Sequence, residues 1–222
     1  QTSRGPAAVE YVLRADPDIV GFQEVDHRMK GIDGRRIPGE MITVLVDGLP
    51  GYSFTKATQR NHFLPIAFKT SKFDLLDSGQ IQIQYTRDRH SDSNRFAAWA
   101  MLRVKATGRK LLVGNLWAND GGNRSMALGR VLAWERLVPA LAEMTDDNRI
   151  PSVLVGDFNS RDDQDDYPFN AHLTALTKAG WQDASRAPVN LQKLPEVSSY
   201  NGWGRAIDGT FYPNAVRPGP RI

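Results

Sequence analysis

The chain has no cysteine among its 222 residues, which excludes disulfides, thiol nucleophiles and cysteine-ligated zinc. That lack says little about compartment, because a chain of this length builds a sufficient core without covalent staples. No apolar run is long enough to cross a bilayer, so a membrane span is not expected. Histidine is scarce: His27, His62, His90 and His172 are the four present, and their dispersal speaks against a clustered-imidazole metal site. Charge of one sign is lacking too, with 28 Lys and Arg against 25 Asp and Glu, so any attraction for a polyanion must come from local clusters and not from the whole chain. Internal repeats, low-complexity tracts and interdomain linkers are absent, and residues 1–222 read as one domain. With 41% hydrophobic and 24% charged residues, the composition is that of an ordinary soluble protein. The start lacks both Met and a recognisable secretion signal. Gln1 in first place reads as a processed or truncated chain, and on that ground secretion is favoured over a cytoplasmic location.

What is present is concentrated in a few segments. Val153-Leu154-Val155-Gly156-Asp157-Phe158-Asn159-Ser160 is a short apolar run that ends in an acid and an amide. It predicts a buried strand with Asp157 and Asn159 at its end, two apart on extended chain and facing the same way. A carboxylate that orients or deprotonates water, beside an amide that donates to phosphoryl oxygens, suits phosphate chemistry. A strand running into an Asx turn explains the same residues without function, and both readings stand open on this segment alone. A second apolar strand, Asp18-Ile19-Val20-Gly21-Phe22-Gln23-Glu24-Val25, ends in Gln23-Glu24 and follows an amphipathic stretch closed by Asp16-Pro17. A solvated charge and a metal ligand are the two readings of Glu24.

Between these acids, seven short runs read as strands: Met41 to Leu45, Tyr52 to Phe54, Leu64 to Phe68, Phe73 to Leu76, Ile81 to Tyr85, Phe96 to Val104 and Leu111 to Leu116. The last two are joined by Ala106-Thr107-Gly108-Arg109, a hairpin with a glycine turn. Apolar positions from Arg124 to Met144 recur at helical spacing, with Pro139 expected to kink or divide the helix. A further helix is predicted over Asn170 to Ala179, closed by Gly180. Basic residues gather after Glu24 (Arg28, Lys30, Arg35, Arg36), around His90 (Arg87, Arg89) and at Arg124 and Arg130. They fit either solvated loops or contact with a polyanionic backbone. Asp162, Asp163, Asp165 and Asp166 lack the glycine and distal Glu of an EF-hand and read as a solvated loop.

Taken together, these segments resemble the endonuclease/exonuclease/phosphatase superfamily, the DNase I-like metal-dependent phosphoesterases. The likeness runs through 17–25, Pro65 to Phe73, Arg95-Phe96-Ala97-Ala98-Trp99-Ala100, Leu111 to Trp117, the 124–144 helix, Gly156-Asp157-Phe158-Asn159, Ala179 to Ala184 and Ala206-Ile207-Asp208. It implies an α/β fold, a four-layered α/β/β/α sandwich of two mainly antiparallel sheets flanked by helices. It implies Glu24 as metal ligand, Asp157 as the group that positions or activates water, and Asn159 as a contact to the scissile phosphate. Asp208 matches the acid that orients a catalytic histidine. Asn115, Trp117 and Arg28 are expected at the substrate. The family's histidine lies in a Ser-Asp-His segment that does not occur before Ile222, and its first Asn-bearing strand is not found either. The domain is therefore expected to be incomplete at both ends, and poorly active as it stands. Trp117 occupies a position where family members commonly carry a phosphate-binding histidine. Indole cannot act as a general acid, so stacking on a base, closing an apolar wall, and packing between the sheet and the next helix are its open roles.

The expected reaction is Mg²⁺- or Mn²⁺-dependent hydrolysis of a phosphodiester by a monomer. Mg²⁺ is favoured over Zn²⁺ because the candidate ligands are hard oxygens. DNA or RNA is ranked first among phosphate-ester substrates because of the basic loops. The alternative is a catalytically impaired relative that binds a phosphate ligand or nucleic acid.

Overall fold

A computed structural model of the chain describes residues 4–25, 28–30, 36–38, 40–55, 64–85, 94–118, 124–146, 149–159, 171–183 and 208–213. Helix α1 (Arg4–Ala15) carries Pro6 in its first turn, where the missing N–H costs nothing. It stops at Asp16, whose φ of 47° is left-handed and whose N–H closes on the Val12 carbonyl at 2.8 Å. Pro17 then prevents continuation, as the sequence predicts.

Helix α2 (Glu40–Gly48) corrects the strand expected over Met41 to Leu45. The β-branched residues Ile42, Thr43, Val44 and Val46 favour a strand locally. Leu45 and Leu49, however, lie four apart and are both fully buried, which is helical spacing, and α1 packs against this helix. The two helices approach closely enough that a Cβ on Gly48 would meet Val9 at 2.7 Å. Tertiary packing overrides propensity here.

Strands β1 (Ile19–Gly21), β4 (Tyr52–Phe54) and β5 (Ile66–Lys69) form an antiparallel sheet in the order β1-β5-β4. Between β1 and α2, strands β2 (Arg28–Lys30) and β3 (Arg36–Pro38) pair as a separate antiparallel ribbon, so the basic stretch after Glu24 is partly regular structure and not a plain loop. A second sheet contains β6 (Phe73–Gln84), β7 (Arg95–Val104), β8 (Lys110–Trp117), β9 (Ser152–Asp157), β10 (Trp181–Asp183) and β11 (Asp208–Pro213), in the order β10-β11-β9-β8-β7-β6. Backbone alone is described for β2, β3 and β11.

The runs at Phe73 to Leu76 and Ile81 to Tyr85, expected as two strands, are one. Ser78-Gly79 reads as a break, but Gly79 lies under the Trp99 ring, which a Cβ would meet at 2.9 Å. The glycine accommodates a neighbour and does not turn the chain. Irregular pairing with β7 at Leu75/Asp77 and Gln82/Gln84 lets the long strand stay on its partner. The β7–β8 hairpin forms as expected, with Gly108 at φ 69°.

Strands β8 and β9 are the one parallel pair among the described strands, because α3 (Arg124–Met144) crosses over between them. Pro139 lies on the exposed side of α3, which runs through it undivided. Helix α4 (Ala171–Lys178) ends at Gly180, φ 82°.

Alternation along β7 separates two cores. Ala98, Ala100 and Leu102 face Ile66 and Phe68 of the first sheet and Leu64 just before it, while Ala97 joins Leu112, Leu116 and Ile83 against Ala133, Trp134, Leu137 and Leu141 of α3 and Leu176 of α4. With α1 and α2 packed together beside the smaller sheet, the layers run helix, sheet, sheet, helix, the sandwich expected from the sequence.

Candidate functional site

Strands β1, β8 and β9 end on one rim of the sandwich, where the two sheets come unusually close. A Cβ built on Gly21 would meet Val155 Cγ2 at 2.5 Å and Asn115 Oδ1 at 2.8 Å, so only glycine admits this contact. Asn115 is fully buried. Its Oδ1 accepts from Gln23 Nε2 at 2.6 Å, and its Nδ2 donates to the carbonyls of Phe22 at 2.9 Å and Pro65 at 3.3 Å. Gln23 Nε2 also donates to the Gly21 carbonyl at 3.0 Å. The chain leaving β1 is thereby tied to β8 and to the start of β5. Glu24 follows directly, exposed and at φ 52°.

The end of β9 is built by a second close approach. Gly156 has φ 148°, and a Cβ there would lie 2.2 Å from the Leu116 carbonyl oxygen; a backbone atom cannot yield, so any other residue would distort β8. Asn159 is not extended as the sequence reading required. Its φ is 46°, and it meets Asp157 by turning back. The Asn159 N–H donates to Asp157 Oδ1 at 2.9 Å, and Nδ2 donates to Asp157 Oδ2 at 3.0 Å and to the Ala118 carbonyl at 3.0 Å. Both carboxylate oxygens of Asp157 are thus held by one residue in an Asx turn. Beneath it, buried Phe158 stacks on Trp134 with ring centroids 5.3 Å apart and packs against His172 at 5.8 Å.

Register brings two further residues to this turn. Asp208 pairs with Asp157 across the antiparallel β11–β9 ladder, and Trp117 pairs with Asp157 across the parallel β8–β9 ladder. Trp117 is half-buried and packs on the core between the sheets, and not toward the following helix, which was one of its open roles. The Arg95 guanidinium lies 4.1 Å from the centroid of its ring.

The structure therefore brings Asp157, Asn159, Trp117 and the backbone of Asp208 together, and links the Glu24 segment to them through Asn115. Asn115 itself is spent on protein partners and has no exposed surface, so its expected place at the substrate is corrected to one behind the rim. Arg28 lies in β2, with its side chain outside the described residues. Arg130 is 2% exposed in α3 and is removed from the basic surface, whereas Arg124 is exposed. Arg87, Arg89, His90 and the acidic run from Asp162 to Asp166 lie outside the described residues. Two features were missed: the Arg95–Trp117 stack and the aromatic anchor under Phe158. A charged residue opening the apolar run Phe96 to Val104 was the available signal for the first.

Among the described residues no group of three or more His, Asp or Glu converges. Glu24 offers one exposed, hard carboxylate. That donor set fits an ion such as Mg²⁺, which keeps several waters and takes one or two carboxylates, and does not fit a closed zinc site.

Three kinds of comparison bear on this chain. Its family model, "Endonuclease/Exonuclease/phosphatase family", matches residues 4–221. No curated protein sequence matches. Among solved structures, a mannosyl-6-phosphatase from Bacteroides thetaiotaomicron is 21% identical with a TM-score of 0.68, over 95% of this chain and 76% of its own. The human Nocturnin catalytic domain with bound sulfate is 21% identical at a TM-score of 0.65, over 96% and 76%. TDP2 of D. rerio, complexed with a single-strand DNA product, is 16% identical at 0.64, over 95% and 76%. At these identities the structures speak for the fold alone, and it is the family model, matching nearly every residue, that decides membership: the chain belongs to the Endonuclease/Exonuclease/phosphatase family.

Proposed function

We propose that this chain hydrolyses a phosphodiester with the help of Mg²⁺ or Mn²⁺, nucleic acid being the favoured substrate. The observation that carries the reading is the shared rim. The Glu24 segment and the Asp157–Asn159 turn come from opposite sheets, and they are joined through Asn115 and the β8–β9 ladder. Glu24 would hold the cation, which when bound neutralises charge on the phosphoryl oxygens and leaving group. Asp157 orients the attacking water and accepts its proton. Asn159 keeps both carboxylate oxygens of Asp157 in place, since its amide protons go to Asp157 and Ala118; contact with a phosphoryl oxygen requires exchanging one of these bonds. Asn115 acts from behind as the brace of the Glu24 segment. Support for a phosphate ester comes from the family and from its phosphatase and DNA-bound members. The choice of nucleic acid rests on exposed Arg124 and the basic residues after Glu24.

The test is turnover of plasmid DNA and of bis(p-nitrophenyl) phosphate with Mn²⁺. Asp157→Ala should lower kcat by about a hundredfold to ten-thousandfold, the usual worth of a positioned proton acceptor. Equal rates in the two proteins would overturn the assignment, and retained binding of a phosphate ester without turnover would favour the non-catalytic relative.

A further inference from the structure

Arg95 opens β7 in the second sheet and is 5% exposed. A residue placed there to fill the core would be apolar, as its neighbours Phe96, Ala97 and Ile83 are. Its cross-strand partner Gln84 is also fully buried, and the Gln84 side-chain amide has no hydrogen-bond partner among the described residues. This strand end is therefore polar although it is buried. The Arg95 guanidinium stacks on the indole of Trp117, 4.1 Å from the ring centroid. Trp117 in turn is the last residue of β8 and the register partner of Asp157. A desolvated cation over an indole is the strongest version of this contact, and a planar guanidinium holds a ring's orientation as an ammonium does not.

We propose that Arg95 is a positioning residue: it locks the Trp117 indole as a wall beside Asp157, and that wall selects phosphate esters whose leaving group carries a ring. The inference rests on the phosphoesterase reading and extends it to substrate class. A half-buried indole left to rotate would have to be ordered by each substrate that stacks on it, whereas one already stacked on Arg95 offers its remaining surface without that cost.

Calorimetric binding of two diesters, methyl phenyl phosphate and dimethyl phosphate, in the presence of Mg²⁺ tests the selection in the full chain. Wild type should bind the phenyl ester more tightly. Arg95→Lys, which keeps the charge and loses the planar stack, should weaken methyl phenyl phosphate about twofold to tenfold, the worth of ordering one side chain, and leave dimethyl phosphate unchanged. Trp117→Leu should abolish the preference, and adding Arg95→Lys to it should change nothing more. Equal weakening of both esters by Arg95→Lys, or an effect that persists without Trp117, would mean that Arg95 meets the phosphate itself and would overturn the proposal. Near-ultraviolet circular dichroism gives an arm free of ligand. The signal that Trp117→Leu removes from wild type should shrink in Arg95→Lys, and an unchanged signal overturns the positioning. Failure of wild type to bind either ester would instead overturn the phosphoesterase reading and the substrate class with it, while the dichroism still decides whether Arg95 fixes the indole.

Discussion

Asn115 has no exposed surface and makes three hydrogen bonds that join two sheets. Removing it strands the Phe22 carbonyl, which costs about 1–3 kcal/mol when left unpaired in the interior, and leaves Gln23 Nε2 with the Gly21 carbonyl as its remaining acceptor among the described residues. It also frees the segment that holds Glu24 at φ 52°, a left-handed conformation that costs a residue with a Cβ about 1–2 kcal/mol. Asn115→Ala is therefore expected to lower stability by roughly 2–5 kcal/mol. Mg²⁺ affinity should fall as well, although Asn115 touches no ligand. Urea denaturation and calorimetry check the two effects, and full Mg²⁺ affinity in a folded Asn115→Ala protein would show that the brace is not needed. At this scale the sequence was only partly legible. Asp157 and Asn159 stood out because an acid and an amide after a buried strand are chemically conspicuous. Their turn did not, since a left-handed Asn159 depends on the hydrogen bonds it makes back to Asp157. Asn115 was misplaced because its neighbours in space, Phe22, Gln23 and Pro65, are far away in sequence.

Among elements, the junction of β9 with the turn at 157–159 depends on α3 and α4. Phe158 is sealed by Trp134 from one helix and His172 from the other. Truncating it to alanine should cost about 3–5 kcal/mol, as for other buried aromatics. Turnover should also drop, because the turn that aims Asp157 would lose its footing; wild-type kcat in Phe158→Ala would break that link. At the opposite end of β1, Lys69 lies 2.9 Å from Asp16 and 3.2 Å from Asp18, and Lys72 reaches Asp18 at 2.8 Å. The Lys72 ammonium holds the Asp18 carboxyl below the usual carboxylate range, with Lys69 adding to the effect. A depressed carboxyl stabilises the fold above its unfolded pKa of about 4, and the gain is lost as pH falls through the folded value. Because Asp18 is nearly half exposed, Asp18→Asn should cost under about 1 kcal/mol at pH 7. The gap between the urea midpoints of the two proteins should narrow as pH falls below about 4, and a gap that stays constant or widens on acidification would contradict the pairing. Elements with one strong period were legible, such as α3, β7 and β8. Helix α2 was not, because its β-branched residues favour a strand until α1 gives Val44 and Gly48 a helical partner.

At the scale of the whole molecule, segments carrying two acids more than a hundred residues apart reach one rim because the sheets pack face to face at glycine. Gly21 lets β1 lie on Asn115 and Val155, and Gly156 lets β9 lie against Leu116. The sandwich was legible from the order of its motifs, since Gln23-Glu24 and Gly156-Asp157-Phe158-Asn159 occur together in the family. The closeness of the two strand ends follows from packing, which no local pattern reports. The central claim is that Glu24 and the Asp157–Asn159 turn share one cation-dependent site. Amide NMR with substoichiometric Mn²⁺ tests it most directly, because a paramagnetic ion broadens signals by distance alone. Amides of 22–25 and 156–159 should broaden together, and Glu24→Gln should abolish the broadening in both segments. Broadening confined to one segment, or persisting at 156–159 in the Glu24→Gln protein, would contradict the claim.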